Sequence, residues 1–238
     1  MPLLRLDKII VSSGLHSRSG ASALIRSGRV AVDGRRAVSG AEKHDPEATV
    51  ISIDGKVLDY KKHRYIMLNK PAGYVSSTND KRDKTVMELL SPIYSKLGLF
   101  PAGRLDKDAE GLLLLTNDGQ LAHRITSPTA KIDKLYFVEF DGVVTDHDVD
   151  GFAKGLRLND GTQCLPAVLE KAPHGAYVII REGKYHQIKR MMSAVGKQVT
   201  YLKRLSIGGL ILDDELKPGM YKELGDDINE VFTGNQCI

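Results

Sequence analysis

Apolar residues recur along the first sixty positions with two different periods. In "RLDKIIVSSG", Leu6, Ile9 and Ile10 fall at helical spacing, and the run stops at Gly14, a residue suited to ending a helix. "SRSGASALIRSG" repeats the pattern, with Ser17 as N-cap, Ala21, Leu24 and Ile25 on one face, and Gly28 at the end. "RVAVDGRRAV" then alternates apolar and polar positions about Asp33-Gly34, the dipeptide of a tight hairpin. From Gly55 to Arg64 the chain reads "GKVLDYKKHR", charged and without period, as a linker does. Beyond it, "YIMLNK", "GLLLLTND", "KLYFVEFDG", "PAVLEK" and "AYVIIREG" read as strands, while "QLAHRITS" and "KYHQIKRMMSAVG" read as helices, the second ended by Gly196. No βαβ rhythm and no fixed-period repeat is present. The pattern predicts an α+β protein: two helices plus a β-hairpin over residues 1–58, a linker over 59–64, and a larger domain over 65–238 with a mostly antiparallel sheet.

Composition narrows the class without naming a function. Hydrophobic residues at 42% and charged residues at 27% are ordinary for a soluble globular chain. No run of eighteen apolar residues occurs, and the charges in "MPLLRLDKII" come too early for a secretory segment, so a cytoplasmic protein without membrane contact is expected. Two cysteines, Cys164 and Cys237, cannot build a disulfide framework, and the seven histidines show no metal-ligand spacing. The net charge of +4 is unevenly spread. Residues 1–43 carry eight Lys/Arg against three Asp/Glu, residues 181–204 carry seven against one, and residues 213–230 carry two against seven. Two separated basic clusters suit a polyanion held at two places.

The chemistry-bearing stretch is "GRLDKDAEGLLLLTNDG", where Asp106, Asp108 and Glu110 crowd the entry to a run of four leucines. There is no phosphate-binding G-x-x-x-x-G-K-[ST], no G-x-G-x-x-G and no G-x-S-x-G. A carboxylate can act at an anomeric carbon, as nucleophile or as electrostatic partner, and RNA offers such a carbon at the ribose–base bond. Local chemistry does not rank the three acids.

Two resemblances do. "RLDKII" followed by "SRSGASALIRSGRVAVDG" resembles the small RNA-binding module named after ribosomal protein S-four, which implies phosphate contacts for Arg5, Lys8, Arg18, Arg26 and Arg29. "GRLDKDAEGLLLLTND" resembles the motif of the RsuA/RluB group of pseudouridine synthases, and "LNKPAGYVSS", "KLYFVEF" and "EGKYHQIKRM" stand in that family's order. This resemblance implies an enzyme without cofactor or metal that isomerises uridine to pseudouridine in ribosomal RNA. Asp106 would be the catalytic aspartate, Tyr136 would stack on the uracil, and Lys189 would pair with Asp106. Arg104, Ile188 and Lys70 would contact the substrate, with Arg190 on the RNA; His186 is read as structural or RNA-contacting. Ala109 departs from the family's usual Ser or Thr. The resemblance leans toward the small-subunit enzyme, implying uridine 516 of 16S rRNA as target, in naked RNA or an assembly intermediate, and a monomer as the acting species. The alternatives are a large-subunit (23S) enzyme of the same group and a non-catalytic RNA-binding assembly factor on the same scaffold.

Overall fold

The computed structural model describes residues 3–232. The chain separates into two compact units: the residues up to Arg64 together with Leu90–Leu99, and Tyr65–Leu89 together with the chain from Phe100 onward.

In the first unit, strand β1 (Leu4–Arg5) leads into helix α1 (Leu6–Ser12), and α2 (Arg18–Arg26) follows. The Ser17 hydroxyl accepts the Gly20 N–H at 3.1 Å, the N-cap expected from the pattern. Strands β2 (Val30–Val32) and β3 (Arg35–Arg36) form the hairpin, with Asp33 and Gly34 at φ +48° and +77°, the left-handed pair its two-residue turn needs. After β4 (Lys43–His44), which pairs with β1, strands β5 (Ile51–Ile53) and β6 (Lys56–Val57) make a second hairpin. The stretch read as linker from Gly55 therefore begins as a strand, because Asp54 and Gly55 repeat the same turn at φ +52° and +76°. Leu6, Ile9 and Ile10 are fully buried against Ala21, Leu24, Ile25, Val30 and Ile51. Leu90–Leu99 belongs to this unit although it lies inside the sequence range read as the second domain. Gly14, at φ +77°, admits that segment: a Cβ there would stand 2.8 Å from the Ile93 carbonyl oxygen.

The second unit is built on one sheet. Its strands are β7 (Tyr65–Lys70), β8 (Phe100–Pro101), β9 (Glu110–Thr116), β10 (Lys134–Phe140), β11 (Val168–Ala172), β12 (Gly175–Ile180), β13 (Val199–Ile207), β14 (Leu210–Ile211) and β15 (Tyr221–Glu223). The order across it is β11-β12-β10-β13-β9-β7-β15, with β14 on β13 and β8 on β9. All pairings are antiparallel except β13 with β9. Leu112 to Leu115 of β9 are fully buried, so both faces of that strand are covered, and the four-leucine run has no exposed side. Helices α3 (Gly119–Thr126), α4 (Asp146–Lys154), α5 (Gln187–Ala194) and α6 (Ile228–Val231) complete the unit. Asp118 caps α3 by accepting from Gln120 and Leu121, and Thr145 and Asp148 form a capping box on α4. The helix read from "KYHQIKRMMSAVG" starts later than its apolar spacing suggests, because His186 takes a left-handed conformation and the turn begins only at Gln187. No helix of the described residues is long and apolar enough to cross a membrane.

Candidate active site

The loop of residues 103–109 enters β9 at the point where β9 and β13 run parallel, Arg204 opposite Gly111. Gly111 sits at φ +97°, and a Cβ there would lie 2.2 Å from the Arg204 carbonyl oxygen, so only glycine permits the approach. That contact brings Arg204 under the loop. Its Nε donates to the Leu112 carbonyl at 2.8 Å, and its Nη1 lies 3.4 Å from both the Arg104 carbonyl and the Tyr136 hydroxyl. The guanidinium carbon is 5.9 Å from the Tyr136 ring centroid, within cation–π range. Nη2 is buried with no hydrogen-bond partner among the described residues, a donor left for water or a substrate acceptor.

The loop is held by backbone contacts on its other side. Lys70 is completely buried, and its ammonium donates to the carbonyls of Pro71, Lys107 and Ala109 at 3.1, 3.2 and 2.7 Å. Burial pushes its pKa down to about 8, against the pull of Asp108, Glu110 and Asp106. Ser76 clamps Leu105 twice, donating to its carbonyl and accepting its N–H. Lys70, expected to touch substrate, instead spends its donors on the loop, since β7 places it opposite Gly111 in the sheet interior. Ala109 is 1% exposed and contributes its carbonyl to Lys70, so this anchor does not depend on a hydroxyl at that position.

The three carboxylates are sorted by partners far away in sequence. Glu110 accepts the Tyr201 hydroxyl at 2.9 Å; burial, then this bond, pushes the Tyr201 phenol up to about 12. Asp108 takes both bonds from the Lys189 ammonium, at 2.6 Å each, and this partner holds its carboxyl below the usual range. Among the described residues Asp106 has no hydrogen-bonded side-chain partner; its oxygens lie 3.6 Å from His186 Nε2 and 3.8 Å from Lys189 Nζ. The expected Asp106–Lys189 pair is therefore a looser contact, because the exposed Asp108 carboxylate reaches the same ammonium first.

Asp106 faces a cleft of about 550 Å³, large enough for a nucleoside and part of its phosphates. Arg104 stands exposed at this cleft, Tyr136 is 7% exposed within it, and Ile188 is buried in its wall. A register shift between Leu135 and Tyr136, where β10 pairs with β13, re-aims the tyrosine. Arg204 and Lys134 are among the lining residues that escaped the sequence reading. Arg204 lay within the basic cluster of residues 181–204 with nothing to mark it out. Lys134 stands two residues before Tyr136 in "KLYFVEF"; burial first, and Arg204 next, push it down to about 8. Arg190 is committed elsewhere, ion-paired with Asp160 and donating to the Tyr185 carbonyl at 3.2 Å. In the first unit, Lys8, Arg18 and Arg26 are exposed and make no ion pair among the described residues, whereas Arg5 pairs with Asp7 and Arg29 with Asp54.

The chain is similar to known proteins. Residues 64–194 match the family described as RNA pseudouridylate synthase, and residues 4–48 match the S4 domain. The uncharacterized RNA pseudouridine synthase YtzG of Bacillus subtilis is 43% identical, covering 94% of this chain and 96% of its own. The ribosomal small subunit pseudouridine synthase A of Escherichia coli is 44% identical, over 94% and 97% respectively. A crystal structure of a pseudouridylate synthase, 36% identical, superposes with a TM-score of 0.67 over 97% of this chain and all of that one. The chain thus belongs to the RNA pseudouridylate synthase family: it is an isomerase acting on RNA, with an S4 domain ahead of its catalytic sheet.

Proposed function

We propose that the protein converts a uridine of small-subunit (16S) ribosomal RNA to pseudouridine, position 516 being the expected target, with Asp106 as the reagent at the ribose. The observation that carries the role of Asp106 is that, among the described residues, no side chain hydrogen-bonds it: Glu110 accepts from Tyr201 and Asp108 from Lys189, whereas Asp106, with only looser contacts to His186 and Lys189, opens on the cleft. The reaction breaks the bond from ribose C1′ to uracil N1, turns the base, and joins C1′ to C5, from which a proton leaves. Asp106 serves the first step, by attack on C1′ or by assisting glycal formation, and the nearby Lys189 and His186 keep cationic or polar groups beside it. Tyr136 supplies a ring face for the extruded base, worth ~1–3 kcal/mol, which offsets part of the few kcal/mol that unstacking costs. Ile188 and the buried floor exclude water that would intercept the separated base. The module of residues 1–58 grips folded RNA through Lys8, Arg18, Arg26 and their neighbours, and the small-subunit assignment rests on the likeness to the Escherichia coli relative.

The test is a pair of substitutions assayed on 16S transcript, alone and with small-subunit proteins bound. Carbodiimide-dependent reverse-transcription stops map new pseudouridines, which mass cannot reveal because the reaction is an isomerisation. Asp106→Asn is expected to abolish the stop while leaving RNA affinity within about twofold, since only the reagent is lost; Asp108→Asn is expected to keep the stop. A fully active Asp106→Asn protein would refute the assignment of the carboxylate. A stop only in large-subunit RNA would refute the small-subunit target.

A further inference from the structure

Tyr185 is the most exposed aromatic side chain among the described residues, 76% accessible, and it lines the same cleft as Asp106. Its ring is nonetheless held in place. It stacks on the His186 imidazole with centroids 3.8 Å apart and planes at 20°. His186 in turn has φ +47°, a left-handed conformation that strains a non-glycine residue, and its Nε2 stands 3.6 Å from Asp106. The turn carrying both rings is braced from three sides. Buried Glu182 accepts from the Leu165 N–H and from Gln187 Nε2 and pairs with Lys184. Gln187 Oε1 accepts the Lys184 N–H, and Arg190, anchored on Asp160, holds the Tyr185 carbonyl. A folded protein gains nothing from presenting a fixed, open aromatic face to water; an unpaired nucleobase gains a surface to stack on.

We propose that the Tyr185–His186 pair is a stacking platform at the cleft rim for an unpaired RNA nucleobase flanking the uridine that enters over Tyr136. The ligand class is any nucleobase, because stacking reads the π-face and not the hydrogen-bonding edge, so this subsite contributes affinity and positions the strand without selecting sequence. Once the target uridine leaves its stack, its neighbour loses a stacking face too, and the platform replaces it. His186 links the two events: one face packs on Tyr185 while its edge meets Asp106, so a base seated on the platform stiffens the side chain next to the reagent.

The inference rests on Asp106 acting on a flipped uridine, and the experiment separates the two. The full-length protein is given a 16S-derived RNA fragment that the wild type modifies, with 2-aminopurine placed on one side or the other of the modified uridine. Binding is read by fluorescence quenching in an Asp106→Asn background, where turnover does not interfere. Quenching is expected at one flanking position, retained in Tyr185→Phe and lost in Tyr185→Ala, with affinity weakened roughly five- to a hundredfold in the Ala variant. The slope of log affinity against log salt is expected to stay the same in Tyr185→Ala, since no phosphate contact is removed. Because Tyr185 is exposed, the variants are expected to melt as the parent does; a shared melting loss with no Phe–Ala difference would mean a structural role and overturn the platform. Unchanged quenching and affinity in Tyr185→Ala would likewise overturn it, while an active Asp106→Asn protein would instead remove the catalytic reading beneath it.

Discussion

Replacing Lys70 by Met separates two roles that the motif "LNKPAGYVSS" leaves mixed. Met has a similar length and no donors, so the change deletes three hydrogen bonds to loop carbonyls without opening a large cavity. Bonds to a charged donor contribute roughly 1.5–3 kcal/mol each, so about 5–9 kcal/mol of interaction is lost. Against this, a buried ammonium is itself costly. The fall in the Lys70 pKa from 10.5 to about 8 corresponds to about 3 kcal/mol of penalty at neutral pH, and Met relieves it. The balance is a destabilisation of roughly 2–6 kcal/mol, concentrated on the loop that carries Asp106. Since the chain has no tryptophan, urea unfolding followed by circular dichroism is the suitable assay, alongside single-turnover pseudouridine formation. A loop anchor predicts a lower unfolding midpoint and a lower kcat, with RNA affinity preserved. The pH dependence follows from the same residue. Its folded value lies below its unfolded value, so between pH 8 and 10 the unfolded chain binds more protons and stability rises with pH. That rise is expected to be shallower in the Met variant. A Lys70→Met protein with wild-type stability and kcat but a raised KM would refute the anchor and return Lys70 to the substrate.

Two further outcomes follow from the geometry. Gly111→Ala is expected to lower stability by several kcal/mol and to abolish activity, because its Cβ meets the Arg204 carbonyl oxygen at 2.2 Å in a left-handed backbone; a folded, active variant in thermal melts and the modification assay would contradict the close β9–β13 approach. RNA affinity is expected to fall steeply with salt, and Arg18→Gln or Arg26→Gln to reduce the log–log slope by about 0.7–0.9 each, more than Arg29→Gln, whose guanidinium Asp54 already occupies; equal slopes in filter-binding titrations would contradict this ranking.

Much of the fold was legible because its rules are local. The spacing of Leu6, Ile9 and Ile10 and the Ser17 cap describe one turn of chain at a time, and Asp33-Gly34 specifies its own turn through φ. Strand β13 and helix α4 were not anticipated. The nine residues of β13 sit in a charged stretch, and their alternation was overshadowed by the preceding helix pattern. The second Asp-Gly turn, at Asp54-Gly55, was visible but masked by the lysines and arginine that follow it.

The candidate site divides along the same line. Motif order alone picked Asp106, Tyr136 and Ile188, and all three line one cleft. Residue types along the chain could not say which acid would remain open, because that depends on partners 81 and 91 positions away: Lys189 for Asp108 and Tyr201 for Glu110. Nor could they assign Lys70 to the loop's underside or bring Arg204 beneath Tyr136. Those outcomes need Lys189 of α5, Tyr201 and Arg204 of β13 and Lys70 of β7 to meet the loop ahead of β9, which commits two carboxylates of a crowded row and leaves Asp106 open to the cleft. Helices and turns are decided within a few residues by backbone sterics and periodicity; which carboxylate stays open to the cleft is decided by partners on other elements, which exist as neighbours only once the strands and helix α5 have assembled.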